Sequence, residues 1–277
     1  MRPVKAGLFR NAALVLVTWA ASLSALAHEF WIETVPSQPR AGAPVSMSLH
    51  VGEFFHGDLV GFTTSHAISL HDLSASGNED LTGLVPTGSM LPALRLSFAS
   101  PGSHVLAYES HPSQVLLRPD QFHDYLHDQG LDAINVQREA AGTSDTPGRE
   151  RFRRSAKTLL RVGGVSDSAS TQVAGLRLEI TPLEDPLAGA AGDTLHFALR
   201  FDGQPAAGML VKAWHKLGSQ TTTIRTTTDA AGRFQFTLPF AGHWMLNTVH
   251  MVAATDSPDV DWDSFWGSLT FDLARGK

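Results

Sequence analysis

The residues best placed to do chemistry stand in the run Ala-Leu-Ala-His-Glu-Phe-Trp, residues 25–31. The Ala-Leu-Ala ending at Ala27 is typical of a signal-peptidase site, so cleavage there would leave His28 as the first residue of the mature protein. An N-terminal histidine offers two nitrogens, the free α-amine and the imidazole, that can chelate one metal ion. Nitrogen-rich sites of this kind suit Ni(II), Co(II) and Cu(II). His28 is therefore the first candidate metal ligand, and a frayed terminus is the alternative interpretation.

Two further histidines are candidates to complete such a site. His250 lies in a strand predicted over 243–253, and a strand is a rigid mount for a ligand. A core histidine that hydrogen-bonds to the backbone is the alternative there. His56 lies in a predicted loop at 52–58 beside two carboxylates, and a solvated loop is the alternative. The expected metal ligands are His28, His250 and His56.

Other histidines are weaker candidates. His123 and His127 stand four residues apart on a predicted helix, which places both imidazoles on one face. The apolar residues of that helix occupy different positions, so we expect the two histidines to face solvent. His243 is seven residues before His250 and lies on the opposite face of an unbroken strand. We expect His243 to be structural, whereas His104, in a predicted strand, is a ligand candidate of the same kind as His56 but weaker.

No motif of nucleophilic or phosphate-transfer catalysis is present. The sequence contains no G-x-S-x-G, no H-E-x-x-H and no P-loop, so no catalytic residue is assigned.

The composition indicates an exported protein. Residues 1–27 carry Arg2, Lys5 and Arg10, no acid, and an apolar stretch from Ala12 to Leu26, which is typical of a signal peptide; a retained membrane anchor is the alternative. The chain of 277 residues has a net charge of −6, and loss of the three bases makes it more acidic, which disfavours nucleic acid as a partner. It has no cysteine, which excludes disulfides and thiolate metal sites and fits a periplasmic protein.

The hydrophobic pattern predicts a mainly β fold. Short apolar or alternating runs separated by turn residues recur in both halves of the chain, which is typical of β-sandwiches. The predicted strands are residues 45–51, 66–73, 94–98, 104–109, 176–180, 194–201, 209–214, 221–227, 234–238, 243–253 and 262–271.

The middle of the chain has a helical pattern. A short amphipathic helix is predicted from Asp120 to Gly130, and a second, basic helix from Arg149 to Arg161. The predicted architecture is therefore two β-sandwich modules, immunoglobulin-like or transthyretin-like, joined by a short helical segment. The domains are a signal peptide at 1–27, an N-terminal β module at 28–117, a helical connector at 118–172 and a C-terminal immunoglobulin-like sandwich at 173–277.

Several separated motifs carry a family resemblance. They are Ala-His-Glu-Phe-Trp at 27–31, Val-Gly-Glu at 51–53, Arg-Arg-Ser-Ala-Lys-Thr-Leu-Leu at 153–160, Ile-Thr-Pro-Leu-Glu-Asp-Pro at 180–186, Asp-Gly-Gln-Pro at 202–205, Gly-His-Trp at 242–244 and His-Met at 250–251. Together they resemble the periplasmic component family associated with bacterial cobalt and nickel uptake, catalogued largely as a domain of unknown function. The segment at 152–155 departs from the family's aromatic-Ser-Arg pattern, which puts in doubt any role tied to that segment.

The resemblance implies a periplasmic protein that handles a divalent transition metal. The expected function is binding of nickel or cobalt, with copper as an alternative metal, for uptake or delivery to an inner- or outer-membrane metal transporter. Such a protein is not an enzyme. Two other classes stay open: a histidine-brace copper protein or oxidative copper enzyme, and a non-catalytic polymer-binding or adhesive sandwich.

Overall fold

The structure is a computed structural model that describes residues 28–274; the predicted signal peptide lies outside the described residues. Alternating residues form strands through most of the described chain, as the sequence pattern predicts. The N-terminal part contains β1 (Glu29–Val35), β2 (Pro44–Glu53), β3 (His56–Val60), β4 (Ala67–Ser74), β5 (Gly77–Asp80), β6 (Leu94–Ser97), β7 (Gly102–Ser110), β8 (Ser113–Leu117), α1 (Pro119–Asp128), α2 (Asp132–Ala140) and β9 (Gly148–Val162). The C-terminal part contains β10 (Leu178–Pro182), β11 (Thr194–Phe201), β12 (Gln204–Pro205), β13 (Leu210–Leu217), β14 (Gln220–Thr227), β15 (Arg233–Thr237), β16 (Gly242–Ala253) and β17 (Trp262–Leu273).

A nine-stranded sheet runs through the centre of the described chain. Its strand order is β14-β13-β16-β17-β9-β7-β4-β5, and β8 pairs with the first residues of β9. The last strand, β17, pairs with β9 in parallel, from Trp262 beside Glu150 to Thr270 beside Thr158. β9 belongs to the predicted connector, and through it the strands β7, β4 and β5 of the N-terminal module and the strands of the C-terminal module form one sheet.

Two small sheets cover opposite faces of the central sheet. The N-terminal small sheet consists of β1, β2, β3 and β6, and the C-terminal small sheet of β10, β11, β12 and β15. On β9, Leu160 packs in the N-terminal core and Leu159 in the C-terminal core, because neighbouring residues of a strand point to opposite faces. The result is a three-layer, mainly β fold, which confirms the predicted immunoglobulin-like sandwich class.

The two helices pack beside the N-terminal small sheet. Phe122 and Leu126 of α1 share a core with Val249 of β16 and Trp266 of β17. The helix ends where Gly130 adopts a left-handed φ of 71°, the conformation that glycine permits most easily, so the predicted helix at 120–130 is confirmed within two residues. No helix between residues 28 and 274 has the length and apolar character that crossing a bilayer requires.

The predicted second helix at 149–161 is wrong, because these residues form β9. Residues 155–160 are buried without interruption, since both faces of this strand are covered by a small sheet. A strand of that kind loses the alternation of polar and apolar residues. The apolar residues of β9 then have a spacing that resembles one face of a helix.

The predicted loop at 52–58 is instead a tight hairpin between β2 and β3. Gly52 and Gly57 stand directly opposite each other in the ladder. A Cβ atom on Gly52 would overlap the carbonyl of His56, and one on Gly57 would overlap the carbonyl of Val51. The glycines thus permit close approach of the two strands.

Candidate functional site

The described chain has a cavity at its N-terminal end, where β1, the β2–β3 hairpin, α1 and β13 meet. We call it the N-terminal cavity. It holds about 300 Å³ and is lined by aromatic and charged side chains. The charged lining residues are Glu29, Glu53, Asp124, Asp128, Lys212 and Arg225.

Two oppositely charged groups of the N-terminal cavity are buried. Glu29 is 5% exposed and Lys212 is 4% exposed. Burial raises the pKa of Glu29 to about 7, although the nearby Lys212 charge opposes that rise. Burial also lowers the pKa of Lys212, whose ammonium donates a hydrogen bond to Gln129 Oε1 at 3.1 Å. One carboxylate oxygen of Glu29 has no hydrogen-bond partner, so the cavity presents an unsatisfied acceptor beside a buried ammonium.

His28 lies at the edge of this cavity beside Glu53. Its Nδ1 is 3.1 Å from Glu53 Oε1, and the two residues are brought together because β1 pairs with the end of β2. The contact does not have the angles of a hydrogen bond, so this buried ring nitrogen has no hydrogen-bond partner. Two ligands at about 2.1 Å from one ion, at right angles, are themselves about 3 Å apart. The pair therefore fits neighbouring positions around one metal ion.

The β2–β3 hairpin closes the other side of the cavity with two adjacent phenylalanines. Phe54 and Phe55 form its turn with φ of 55° and 61°, a conformation that costs free energy for residues other than glycine. Phe55 is buried in a cluster with Trp31, Trp214 and Met245. Phe54 is 58% exposed and packs edge-on against Trp214 at 5.7 Å between ring centres. The hairpin thus anchors the N-terminal small sheet to the central sheet beside His28.

The structure does not place His250 with His28. On β16, Val249 and Met251 face the helices, whereas Trp244 and Leu246 face the C-terminal core. His250 points to the same side as Trp244 and packs against the ring of Phe201 at 4.4 Å. Burial lowers its pKa. His28 and His250 therefore lie on opposite sides of the central sheet.

His56, the third predicted ligand, is exposed and pairs with Glu53 across the β2–β3 ladder. Its backbone is thus next to the His28–Glu53 pair. Within residues 28–274, no group of three or more histidine, aspartate and glutamate side chains is arranged to hold a metal ion. His28 and Glu53 consequently need a donor from elsewhere, such as the α-amine that cleavage before His28 would create.

The remaining histidines have structural surroundings. His104 is buried between Asp72 at 2.7 Å and the carbonyl of Ser100 at 3.0 Å, and it carries a raised pKa because the hydrogen bond and charge of Asp72 outweigh burial. His243 stacks on Phe55 at 5.1 Å and contacts Asp272 at 2.7 Å. The contacts of His243 agree with the structural role expected from the sequence, and both ring nitrogens of His104 have protein partners.

The helical histidines face solvent. His123 and His127 have 66% and 70% exposed side chains, as the apolar pattern of α1 predicts. Each contacts a single aspartate, Asp124 for the first and Asp132 for the second. Their helical spacing therefore does not create a metal site with other described residues.

Sequence reasoning missed Glu29, Glu53 and Lys212 as site residues. The signal for Glu53 was present, because it belongs to the Val-Gly-Glu motif at 51–53. The burial of Lys212 could not be predicted, since a lysine inside an alternating strand indicates a side chain that faces solvent.

Comparisons with known proteins give a family but no activity. The family model described as "Domain of unknown function (DUF4198)" matches residues 25–252. No curated protein matches the chain.

Among solved structures, the chain is similar to a tetra-tandem repeat from the extending region of a large adhesion protein, with 10% identity and a TM-score of 0.23, covering 90% of this chain and 50% of that one. It is also similar to trypsin-activated alpha-2-macroglobulin from Escherichia coli, with 8% identity and a TM-score of 0.21, covering 91% and 16%. A third similarity is to three N-terminal domains of the outer capsid protein Hoc of bacteriophage RB49, with 8% identity and a TM-score of 0.20, covering 90% and 71%. The chain spans half or less of the first two structures, and scores this low carry no functional argument.

Proposed function

Because the chain belongs to the DUF4198 family, whose description names no activity, we propose a function from the site itself: binding of a divalent transition metal ion at the mature N-terminus. His28 and Glu53 hold the ion together with the α-amine that signal cleavage creates. Nickel and cobalt are the proposed metals, because imidazole and amine nitrogens bind them well. The protein acts in the periplasm as a carrier that delivers the ion to a membrane transporter, and it does not act as an enzyme.

One observation carries this proposal. The buried Nδ1 of His28 has no hydrogen-bond partner, although Glu53 Oε1 is only 3.1 Å away. A buried polar atom without a partner is rare and needs a physical reason. A metal ion bound by both atoms supplies that reason, and the amine of the same residue closes a chelate ring.

The acidic side of the N-terminal cavity favours a cation. Asp124 and Asp128 of α1 line the same cavity as Glu53. Together with Glu53 they outnumber the two cations of the lining, Lys212 and Arg225, so the net charge favours a divalent ion in addition to direct ligation.

We expect the exported protein to begin at His28 and to bind Ni(II) or Co(II) in a one-to-one complex. His28→Ala should weaken binding at least about 100-fold, because it removes the imidazole, and Glu53→Gln about tenfold. Isothermal titration of the protein purified after export, with its first residue established by intact mass, measures both effects. Affinity should also fall as the pH decreases below about 8, because an α-amine has an ordinary pKa of ~8 and must lose its proton to bind.

Matched controls separate this site from surface histidines. His123→Ala removes an exposed helical imidazole, and His250→Ala removes one on the other side of the central sheet; both should leave the affinity unchanged. One added glycine before His28 keeps the imidazole and displaces the amine, so it should abolish tight binding. An unaltered affinity in the His28→Ala variant contradicts the proposal.

A further inference from the structure

A second cavity lies on the opposite side of the central sheet, between β9 and the C-terminal small sheet. We call it the arginine cavity, because Arg153, Arg177 and Arg200 line it. It holds about 410 Å³. Arg153 belongs to β9, whereas Arg177 precedes β10 and Arg200 is on β11. The cavity shares no lining residue with the N-terminal cavity.

Two of the three guanidinium groups lack a counter-ion. Arg177 is paired with Asp202, with Nε 3.0 Å from Oδ1. Arg153 and Arg200 form no ion pair with any carboxylate in the described part of the chain. Moreover, the Nε of Arg153 and one terminal nitrogen of Arg200 are buried without a hydrogen-bond partner. Buried donors on positive groups are costly unless an acceptor satisfies them.

Three carboxylates line the arginine cavity, and each has partners of its own. Glu109 accepts hydrogen bonds from the backbone N–H of Arg177 at 3.3 Å and from the hydroxyl of Ser155 at 3.5 Å. Glu179 forms a fully buried ion pair with Lys157 at 2.7 Å and accepts backbone hydrogen bonds from Ala174 and Gly175 at 2.7 and 2.9 Å. Asp202 is held by Arg177. In the described part of the chain none of these three acids lies within ion-pair distance of Arg153 or Arg200, so both guanidinium groups are open to an acceptor from outside the protein.

Apolar side chains form part of the cavity wall. Ile68 and Val173 line it and are 42% and 52% exposed. Leu176, which is buried, lies beside them. A ligand with a short hydrocarbon part gains contact with these groups, whereas an inorganic anion does not.

We propose that the arginine cavity binds a small organic acid. Its carboxylate accepts hydrogen bonds from Arg153 and Arg200, since guanidinium groups match the geometry of carboxylates, and its carbon chain contacts Ile68 and Val173. This site is independent of the proposed metal site, because the two cavities are on different faces.

His250 packs behind the wall of the arginine cavity that Arg177 forms. His250 packs against Phe201 at 4.4 Å, and Arg177 lies over the ring of Phe265 at 4.6 Å. Phe201 and Phe265 are themselves in contact, with ring centres 4.8 Å apart. His250 thus supports the wall behind Arg177 and is not assigned as a ligand of the acid.

Titration of the exported protein with succinate, acetate and inorganic phosphate, at constant ionic strength, tests this site. We expect saturable binding of succinate that is tighter than binding of phosphate. Arg153→Gln and Arg200→Gln should each weaken it at least about tenfold. Arg95→Gln removes an exposed arginine of β6 that has no ion pair and should change nothing. Arg200→Lys keeps the charge without the planar fork and should also weaken binding.

A spectroscopic readout needs no variant. The Nε–H resonance of Arg153 in a ¹H–¹⁵N spectrum should shift during the succinate titration with the same saturation curve. Absence of saturation with all three anions overturns the site. Equal or tighter binding of phosphate overturns the assignment to an organic acid.

Discussion

Glu150 is a carboxyl group held almost completely out of water. It is 1% exposed, in β9, and accepts hydrogen bonds from the hydroxyls of Tyr125, at 3.2 Å, and Ser264. Burial raises its pKa to about 7, against the effect of those hydrogen bonds. Its second oxygen has no partner. The residue therefore ties α1 to the central sheet most favourably when it carries a proton.

Glu150→Gln should consequently change how stability depends on pH. In the native protein the raised pKa makes the folded state hold a proton between about pH 4.5 and 7, so this contribution is complete below pH 4.5 and is lost as the pH rises to 7. The variant should be stabilised relative to the native protein by roughly 1–3 kcal/mol more at pH 8 than at pH 5. Urea denaturation at both pH values measures this. Equal differences at the two pH values would show that Glu150 titrates normally.

At the scale of elements, the β2–β3 hairpin has a turn whose backbone conformation costs free energy and a buried phenylalanine that stabilises it. Phe54 and Phe55 have nearly the same left-handed conformation but very different burial, 58% and 1% exposed. The strain persists because Phe55 packs with Trp31 and Trp214 between the small sheet and the central sheet. The turn also sets the position of Glu53, and hence of the proposed metal site.

This pair of residues allows a matched test. Phe55→Ala should lower the free energy of unfolding by about 3–5 kcal/mol, because it removes a buried ring. Phe54→Ala keeps the same backbone demand and should cost less than about 1 kcal/mol. Chemical denaturation of the two variants separates the effect of burying Phe55 from the effect of the turn conformation. Similar decreases in the free energy of unfolding would contradict the anchoring role of Phe55. Metal affinity should fall only in the Phe55→Ala variant.

At the scale of the whole molecule, a buried ion pair links two of the three layers. Lys157 of the central sheet and Glu179 of the C-terminal small sheet are 1% and 2% exposed, with Nζ and Oε1 2.7 Å apart. Burial lowers the pKa of Lys157, and the carboxylate opposes that change. The pair contributes to the packing of the layers because both side chains are almost fully buried, and Glu179 also lines the arginine cavity.

Lys157→Met should destabilise the protein by about 3–5 kcal/mol, because Glu179 would remain buried without a counter-charge. The double variant Lys157→Met, Glu179→Gln removes that charge and should recover part of the loss. Thermal or chemical denaturation of both variants measures the coupling. A double variant no more stable than the single one would show that charge burial is not the cause.

The sequence predicted much of the fold and one residue of the candidate site, His28. Residues such as 194–201 alternate clearly and form the strand expected, β11, because one side of that strand faces a core. Residues 149–161 gave the wrong element, because both sides of β9 are covered and the alternation disappears. His28 is a candidate from its place after the predicted cleavage site. Its contact with Glu53 became apparent only from the pairing of β1 with β2.

By itself the sequence determined the mainly β class and the helix α1, since these depend on local pattern. It also marked His28 as the proposed metal ligand, from residue chemistry alone. Only the tertiary structure decided which side chains meet. Successive residues of β16 face opposite sides of the central sheet, and His250 is on the side of the C-terminal small sheet. It therefore packs with Phe201 and not with His28. The same layering brings Arg153 and Arg200 to one cavity, where neither has an ion-pair partner among the described residues. Which side chains come close together depends on the order of strands in the sheets. The pattern of polar and apolar residues along the chain does not contain that order.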